Sequence, residues 1–131
     1  MNLPSSSSLK TIAAQIMANP HGILAADESN KSADKRFASL NIPSSPETHR
    51  KYRQLLFTTP HIEDYLSGVI FYDETIRQST DDGTPFPQYL LNKGILPGIK
   101  VDKGLLPLDN FPDETITEGL DGLAERSREY Y

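Results

Sequence analysis

The sequence predicts an α/β fold in which parallel strands alternate with helices. Short apolar runs at 22–27, 68–72 and 95–102 are each bounded by turn-forming residues, as buried strands are. The stretches between them repeat apolar residues at helical spacing or open on helix caps. Strand and helix therefore take turns along the chain, which is the pattern of a parallel sheet covered by helices.

Ser5–Ser8 is of low complexity, and residues 1–8 are expected as a flexible lead-in. Leu9, Ile12, Ala13, Ile16 and Met17 then recur at i, i+3, i+4, i+7 and i+8. That spacing predicts an amphipathic helix with Ser8 as N-cap and Asn19-Pro20 as its stop. Gly22 to Asp27 is the first strand. Ser32 is expected to cap a short helix with Ala33, Phe37 and Leu40 on one face, followed by a loop from Asn41 to Ser45. Ser45-Pro46-Glu47 opens the next helix, because Pro suits a first turn and an acid faces the positive end of the dipole. Its expected apolar face is Tyr52, Leu55 and Leu56, and Pro60 marks its end.

Gly68 to Tyr72, dense in β-branched and aromatic residues, is the second strand. A helical turn over Asp73 to Ser79, a turn at Asp81-Asp82-Gly83 and a short helix from Pro85 to Lys93 follow. The third strand runs from Ile95 to Asp102, although Pro97 weakens its start. Leu105 to Asp113 reads as loop. Thr115-Ile116-Thr117-Glu118 has capping-box spacing and predicts a helix carrying Ile116, Leu120, Leu123 and Ala124. No repeat or linker divides the chain, so residues 1–131 are expected to form a single domain.

Composition narrows the function. With glycine counted and tyrosine left out, apolar residues make up about 38% of the chain, thin beside the roughly 45–50% of an average globular domain on the same set. No apolar run approaches the length of a membrane helix, and the first residues show neither the basic nor the apolar region of a secretory signal. The absence of Cys excludes a disulfide scaffold, thiolate metal sites and a Cys nucleophile, and fits a reducing cytoplasm. The net charge of −5 argues against nucleic acid, and the basic residues are dispersed except at Lys31, Lys35 and Arg36. Neither a Gly-x-Gly-x-x-Gly string nor a Walker string is present, so a nucleotide fold has no support.

The chemistry concentrates at strand ends. In Ile99-Lys100-Val101-Asp102 a period of two puts Lys100 and Asp102 on one face. Two charges on a face buried in an ordinary sheet are costly unless paired. In a closed β/α barrel the same face looks into the lumen, and at the carboxyl end that lumen is the active site. Asp27 ends the first strand in the same way. A lysine there can hold a phosphate, stay a fixed cation or form a Schiff base, while carboxylates move protons. Ser29, Ser32, Lys35 and Arg36 supply hydroxyls, helix-terminal amides and cations, the makings of a phosphate subsite. His61-Ile62-Glu63-Asp64 has no recognised metal-ligand spacing, and His21 and His49 read as structural or solvated.

Five strings occur in one order: Gly22-Ile-Leu-Ala-Ala-Asp-Glu-Ser29, Tyr52-Arg-Gln-Leu-Leu56, Asp81-Asp-Gly-Thr-Pro-Phe-Pro-Gln88, Gly98-Ile-Lys-Val-Asp-Lys-Gly104 and Glu118-Gly-Leu-Asp-Gly-Leu123. Together they resemble the N-terminal part of class I fructose-bisphosphate aldolase, from about the first helix to the last residue. The resemblance implies the N-terminal part of a (β/α)8 barrel, incomplete in this chain. It implies a lyase of glycolysis and gluconeogenesis that reversibly cleaves fructose 1,6-bisphosphate into dihydroxyacetone phosphate and glyceraldehyde 3-phosphate. That reaction runs through a lysine Schiff base, with no metal and no cofactor.

The implied setting is a cytoplasmic homotetramer whose ligand is a phosphorylated sugar, without nucleic acid or membrane. By position, Asp27 matches the strand-end aspartate that acts on the hydroxyl and carbonyl region of the substrate. Lys100 matches the third-strand active-site lysine, and Ser29, Ser32 and Arg36 match the segment that contacts a substrate phosphate. Two positions depart from the family: Asn30-Lys31 stands where Thr-Gly is usual, and His49 where Arg is commoner. The Schiff-base lysine, its catalytic neighbours and the second phosphate site belong to later strands, beyond residue 131. The chain by itself is therefore expected to be inactive and poorly stable. The alternative expectation is a non-catalytic product that binds sugar phosphate weakly or associates with intact aldolase subunits.

Overall fold

The computed structural model describes residues 6–17 and 20–131. Its centre is strand β2 (Leu66–Phe71), paired in parallel with β1 (Gly22–Ala26) on one side and β3 (Leu96–Ile99) on the other. Phe71 pairs with both Ala26 and Ile99, so the three strands end level. That common end is where the site forms.

Alternation gives this sheet two unlike faces. Ser67, Val69 and Phe71 of β2 are buried under the helices. Helix α1 (Ser6–Ile16) precedes β1, α2 (Asn30–Ser39) and α3 (Pro46–Phe57) lie between β1 and β2, and α4 (Asp73–Ile76) and α5 (Phe86–Asn92) lie between β2 and β3. Phe57 of α3 meets Phe71 and Phe86 edge-to-face, each at 5.1 Å between centroids, and all three rings are fully buried. Each such pair contributes about 0.5–1.5 kcal/mol beyond its area. Ala26, Ile62, Val69, Leu90 and Ile95 complete this core. The other face carries Ile23, Ala25, Ile70 and Gly98, and Ile23 is half-exposed. The expected fully buried first strand is thus corrected: only Ala26 of β1 is buried, because β1 has a partner on one side only among the described residues.

Several helix boundaries also differ from expectation. Helix α1 already includes Ser6 to Ser8, so Ser8 lies inside its first turn and is not the N-cap. Residues 1–5 of the expected lead-in and Asn19 of the stop lie outside the described residues. The cap of α2 is Ser29, whose Oγ accepts from the Ser32 amide at 3.4 Å. Ser32 is one turn in, because the chain turns helical almost as soon as β1 ends. Ala33 and Phe37 are buried as expected, but Leu40 follows the helix and is exposed. Helix α3 opens on Ser45, as predicted, with Oγ accepting from the Thr48 amide at 3.1 Å. Its buried face is His49, Arg53 and Phe57, whereas Leu55 is exposed. Partners from α2, α4 and the β1–α2 loop satisfy the two polar side chains and turn the helix that way.

The third strand stops at Ile99, short of the expected Asp102, although the Lys100 amide extends the ladder with a 2.9 Å bond to the Phe71 carbonyl. The predicted loop at 105–113 and the capping-box helix are replaced by an antiparallel hairpin, β4 (Gly104–Leu108) and β5 (Phe111–Glu118). Thr115, Ile116 and Thr117 are good strand formers, and pairing with Leu105 to Pro107 outweighs the cap. Asn110 takes a left-handed φ of 66° at the tip. Helix α6 (Leu123–Tyr130) begins only after Gly119 and Gly122. Gly119 has a φ of 133°, and a Cβ there would stand 2.9 Å from the Asp102 Cα. Only Gly fits that approach. No helix among the described residues is long and apolar enough to cross a membrane.

Candidate functional site

A pocket of about 870 Å³ opens at the carboxyl ends of the strands. Asp27 stands two residues past Ala25, and Lys100 two past Gly98, so alternation sends both toward the less covered face. Both line the pocket, together with Ser29, Ser32 and Asp102. The Lys100 ammonium donates to Asp102 Oδ1, and the Gly104 amide donates to Oδ2 at 3.1 Å. The Lys100 contact holds the Asp102 carboxyl below the usual carboxylate range, against the opposing effect of burial. The pair is a fixed dipole at the pocket wall, able to meet a negative or hydroxylated ligand.

The loop bearing Asp27 and Ser29 is held from beneath. Arg53 of α3 is buried, and its Nη2 donates to the Glu28 carbonyl oxygen. Burial pulls its guanidinium below the ordinary arginine value, and the nearby charges of Glu28, Asp27 and Glu74 oppose that pull. His49, one turn earlier, sits between two acids: Nε2 is 2.8 Å from Asp34 Oδ1 and Nδ1 is 3.0 Å from Glu74 Oε1. Asn30 Nδ2 donates to the other oxygen of Glu74 at 3.0 Å. His49 is thus buried, so of the two sequence readings, structural or solvated, the solvated one does not hold.

Arg36 is not on the pocket wall. Its Nε donates to Glu28 Oε1 at 2.7 Å, an exposed arrangement that raises the guanidinium value further. Lys31 and Lys35 are exposed and do not line the pocket. His61 is 3.7 Å from Asp64 with both side chains exposed, so the 61–64 stretch encloses no ligand set.

Sequence reasoning missed a third wall. Tyr72, Asp73 and Arg77, after β2, line the pocket with Tyr130 of α6. The Tyr130 hydroxyl donates to Asp73 Oδ1 at 2.9 Å, and Arg77 Nη2 reaches Asp73 at 3.2 Å and Glu129 at 3.0 Å. A signal existed. Asp73-Glu74 follows the end of β2 as Asp27-Glu28 follows β1, with Tyr72 as one intervening residue.

Parallel strands with a polar, charged pocket at their carboxyl ends are the arrangement of α/β enzymes, whether the sheet closes into a barrel or stays open. Residues 8–131 match the family model of class-I fructose-bisphosphate aldolase, and the chain belongs to that family. It is 56% identical over 119 residues to a probable fructose-bisphosphate aldolase class 1 of Xanthomonas axonopodis pv. citri, spanning 90% of this chain and 36% of the relative. It is 54% identical over 123 residues to the corresponding protein of Xylella fastidiosa (strain 9a5c), spanning 94% of this chain and 37% of that one. A solved structure of the Plasmodium falciparum aldolase, in complex with TRAP and a small-molecule inhibitor, superposes with a TM-score of 0.91 at 42% identity. It covers 100% of this chain and 38% of its own. The chain therefore spans little more than a third of the relatives it matches, and its three parallel strands are part of a TIM barrel.

Proposed function

We propose that this chain carries one half of the substrate site of the class I aldolase reaction, the reversible cleavage of fructose 1,6-bisphosphate through a lysine Schiff base in the cytoplasm. The observation that supports this most is the meeting of Asp27, Ser29, Ser32 and Lys100 in one pocket. Asp27 handles the proton of a substrate hydroxyl. Lys100 stays a non-covalent cation, oriented by Asp102, against the charge on the substrate. Ser29, Ser32 and the first amides of α2 take one phosphate, and Arg36 joins by exchanging Glu28 for it. The Schiff-base lysine is not among these residues.

Titration of the isotopically labelled chain with fructose 1,6-bisphosphate tests the reading. The amides of Ser29, Ser32 and Lys100 shift with the bisphosphate and not with fructose. Equal response to both sugars, or none to either, refutes it. Borohydride reduction in the presence of dihydroxyacetone phosphate leaves Lys100 unmodified, and an adduct there overturns its non-covalent role.

A second reading, association with complete aldolase subunits without catalysis, is favoured by exposed Leu105, Phe111 and Ile116 on the hairpin. Co-elution with a full-length relative in size-exclusion chromatography is its expected outcome, and unchanged elution dismisses it.

A further inference from the structure

His49 is the most enclosed titratable side chain whose role the substrate site leaves open. Its ring lies 5.8 Å from Phe37 of α2, stacked at 25°, and each ring nitrogen faces a carboxylate oxygen within 3.0 Å. A carboxylate is an acceptor only. A neutral imidazole has one N–H and one lone pair, so it satisfies one acid and turns its lone pair on the other. The doubly protonated ring donates to both.

The charged groups around it are Asp34 from α2, Glu74 from α4 and Arg53 one turn along α3. Ser44, from the loop before α3, hydrogen-bonds Asp34. The ring is buried between the two acids, which are themselves partly exposed. Glu74 also accepts from Asn30, the first residue of α2. The tie therefore ends at the turn that carries Ser29 and Ser32.

We propose that His49 is a positioning residue. Its ring, bridging Asp34 and Glu74, clamps the N-terminal turn of α2 against α4 and so sets where Ser29 and Ser32 stand in the pocket. Loss of the ring loosens that turn and weakens anion capture there. The clamp itself follows from geometry alone. Its effect on anion capture rests on the phosphate-subsite reading above.

The first arm of the test needs no ligand. In the ¹⁵N-labelled chain, H49Q moves the Asn30, Ser32 and Ala33 amides and leaves Val69 in the core unmoved, and H49R returns the α2 amides toward their parent positions. Amides of α2 that ignore the substitution overturn the proposal. The second arm titrates inorganic phosphate. H49Q weakens its binding about tenfold, within the usual range of coupling between sites, and H49R, whose guanidinium donates to both acids, restores it. Phosphate binding by H49Q as tight as in the parent chain also overturns the proposal. If the parent chain binds no phosphate at any pH, the subsite reading fails and the first arm still decides the clamp. Should H49Q not fold, D34N, which alters one partner of the ring, carries the same readouts, and unmoved Asn30, Ser32 and Ala33 amides overturn the proposal.

Discussion

Replacing Arg53 by Met keeps the volume of the stem and removes the guanidinium. The side chain is only 3% exposed, and its Nη2 donates to the carbonyl of Glu28, between Asp27 and Ser29. Taking away the donor strands a shielded acceptor, at about 1–3 kcal/mol. The cation also lies 5.1 Å from the Tyr52 ring, a contact contributing about 0.5–1 kcal/mol. Against these stands relief from desolvation, since burial already disfavours the charged form. Glu28 is only partly covered, so water reaches part of the loop. The net expectation is a loss of about 1–3 kcal/mol. Urea unfolding followed by circular dichroism and tyrosine fluorescence measures it, and amide shifts of Glu28, Ser29 and Ser32 report the loop. Arg53→Lys keeps a charge without the planar fork and falls between the two. An Arg53→Met variant with an unmoved midpoint and unmoved loop amides refutes the reasoning, because the guanidinium would then not hold the loop.

Phe57→Ala empties the centre of the three-ring core and loses about 3–5 kcal/mol, read as an early urea midpoint. A loss under about 1 kcal/mol contradicts the packing described. Gly119→Ala meets both a φ of 133° and backbone atoms of Asp102 and Val101 at 2.9 Å, so it destabilises by more than about 1 kcal/mol and shifts the Asp102 and Lys103 amides. Acid sensitivity has a definite sign. Asp34 is held below the carboxylate range by Ser44 and His49, Glu63 by Lys93, Asp81 by Gln54 and Arg50, and Asp102 by Lys100. The unfolded chain takes up these protons first as pH falls. Their contribution is therefore full above the unfolded values near about pH 4 and is lost as pH drops through the lower folded values. Urea midpoints that stay level or rise below about pH 4 run against that linkage.

The parallel sheet was legible because Gly22 to Asp27 and Gly68 to Tyr72 are short apolar runs, although β2 itself begins two residues earlier, at Leu66, and ends one earlier, at Phe71; Ser45-Pro46-Glu47 is an unambiguous helix start. The hairpin was not legible. Thr115 to Glu118 fits a capping box and a strand equally well in one dimension, and only the pairing of Leu105 with Thr117 and Leu106 with Ile116 decides between them. The face of α3 was misread for a related reason. Apolar periodicity selects Leu55, but the buried side is chosen by acceptors that lie 25 residues away for both Arg53 and His49, at the Glu28 carbonyl and Glu74. Within the site, the alternation of Lys100 and Asp102 foretold a shared face. The turning of Arg36 onto Glu28 could not be foreseen, because two oppositely charged side chains eight residues apart disclose no partner until the helix between them is placed.

The grip of Glu28 on Arg36 has a consequence for selectivity by valence. An anion arriving at this guanidinium enters by counter-ion exchange, because the position is already neutralised from within. A monovalent ion replaces one negative charge with another and gains little. A phosphate monoester brings about 1.5 to 2 charges and three acceptor oxygens to the same cation. Under the phosphate reading proposed above, the internal carboxylate makes the exchange more favourable for a doubly charged guest than for a singly charged one.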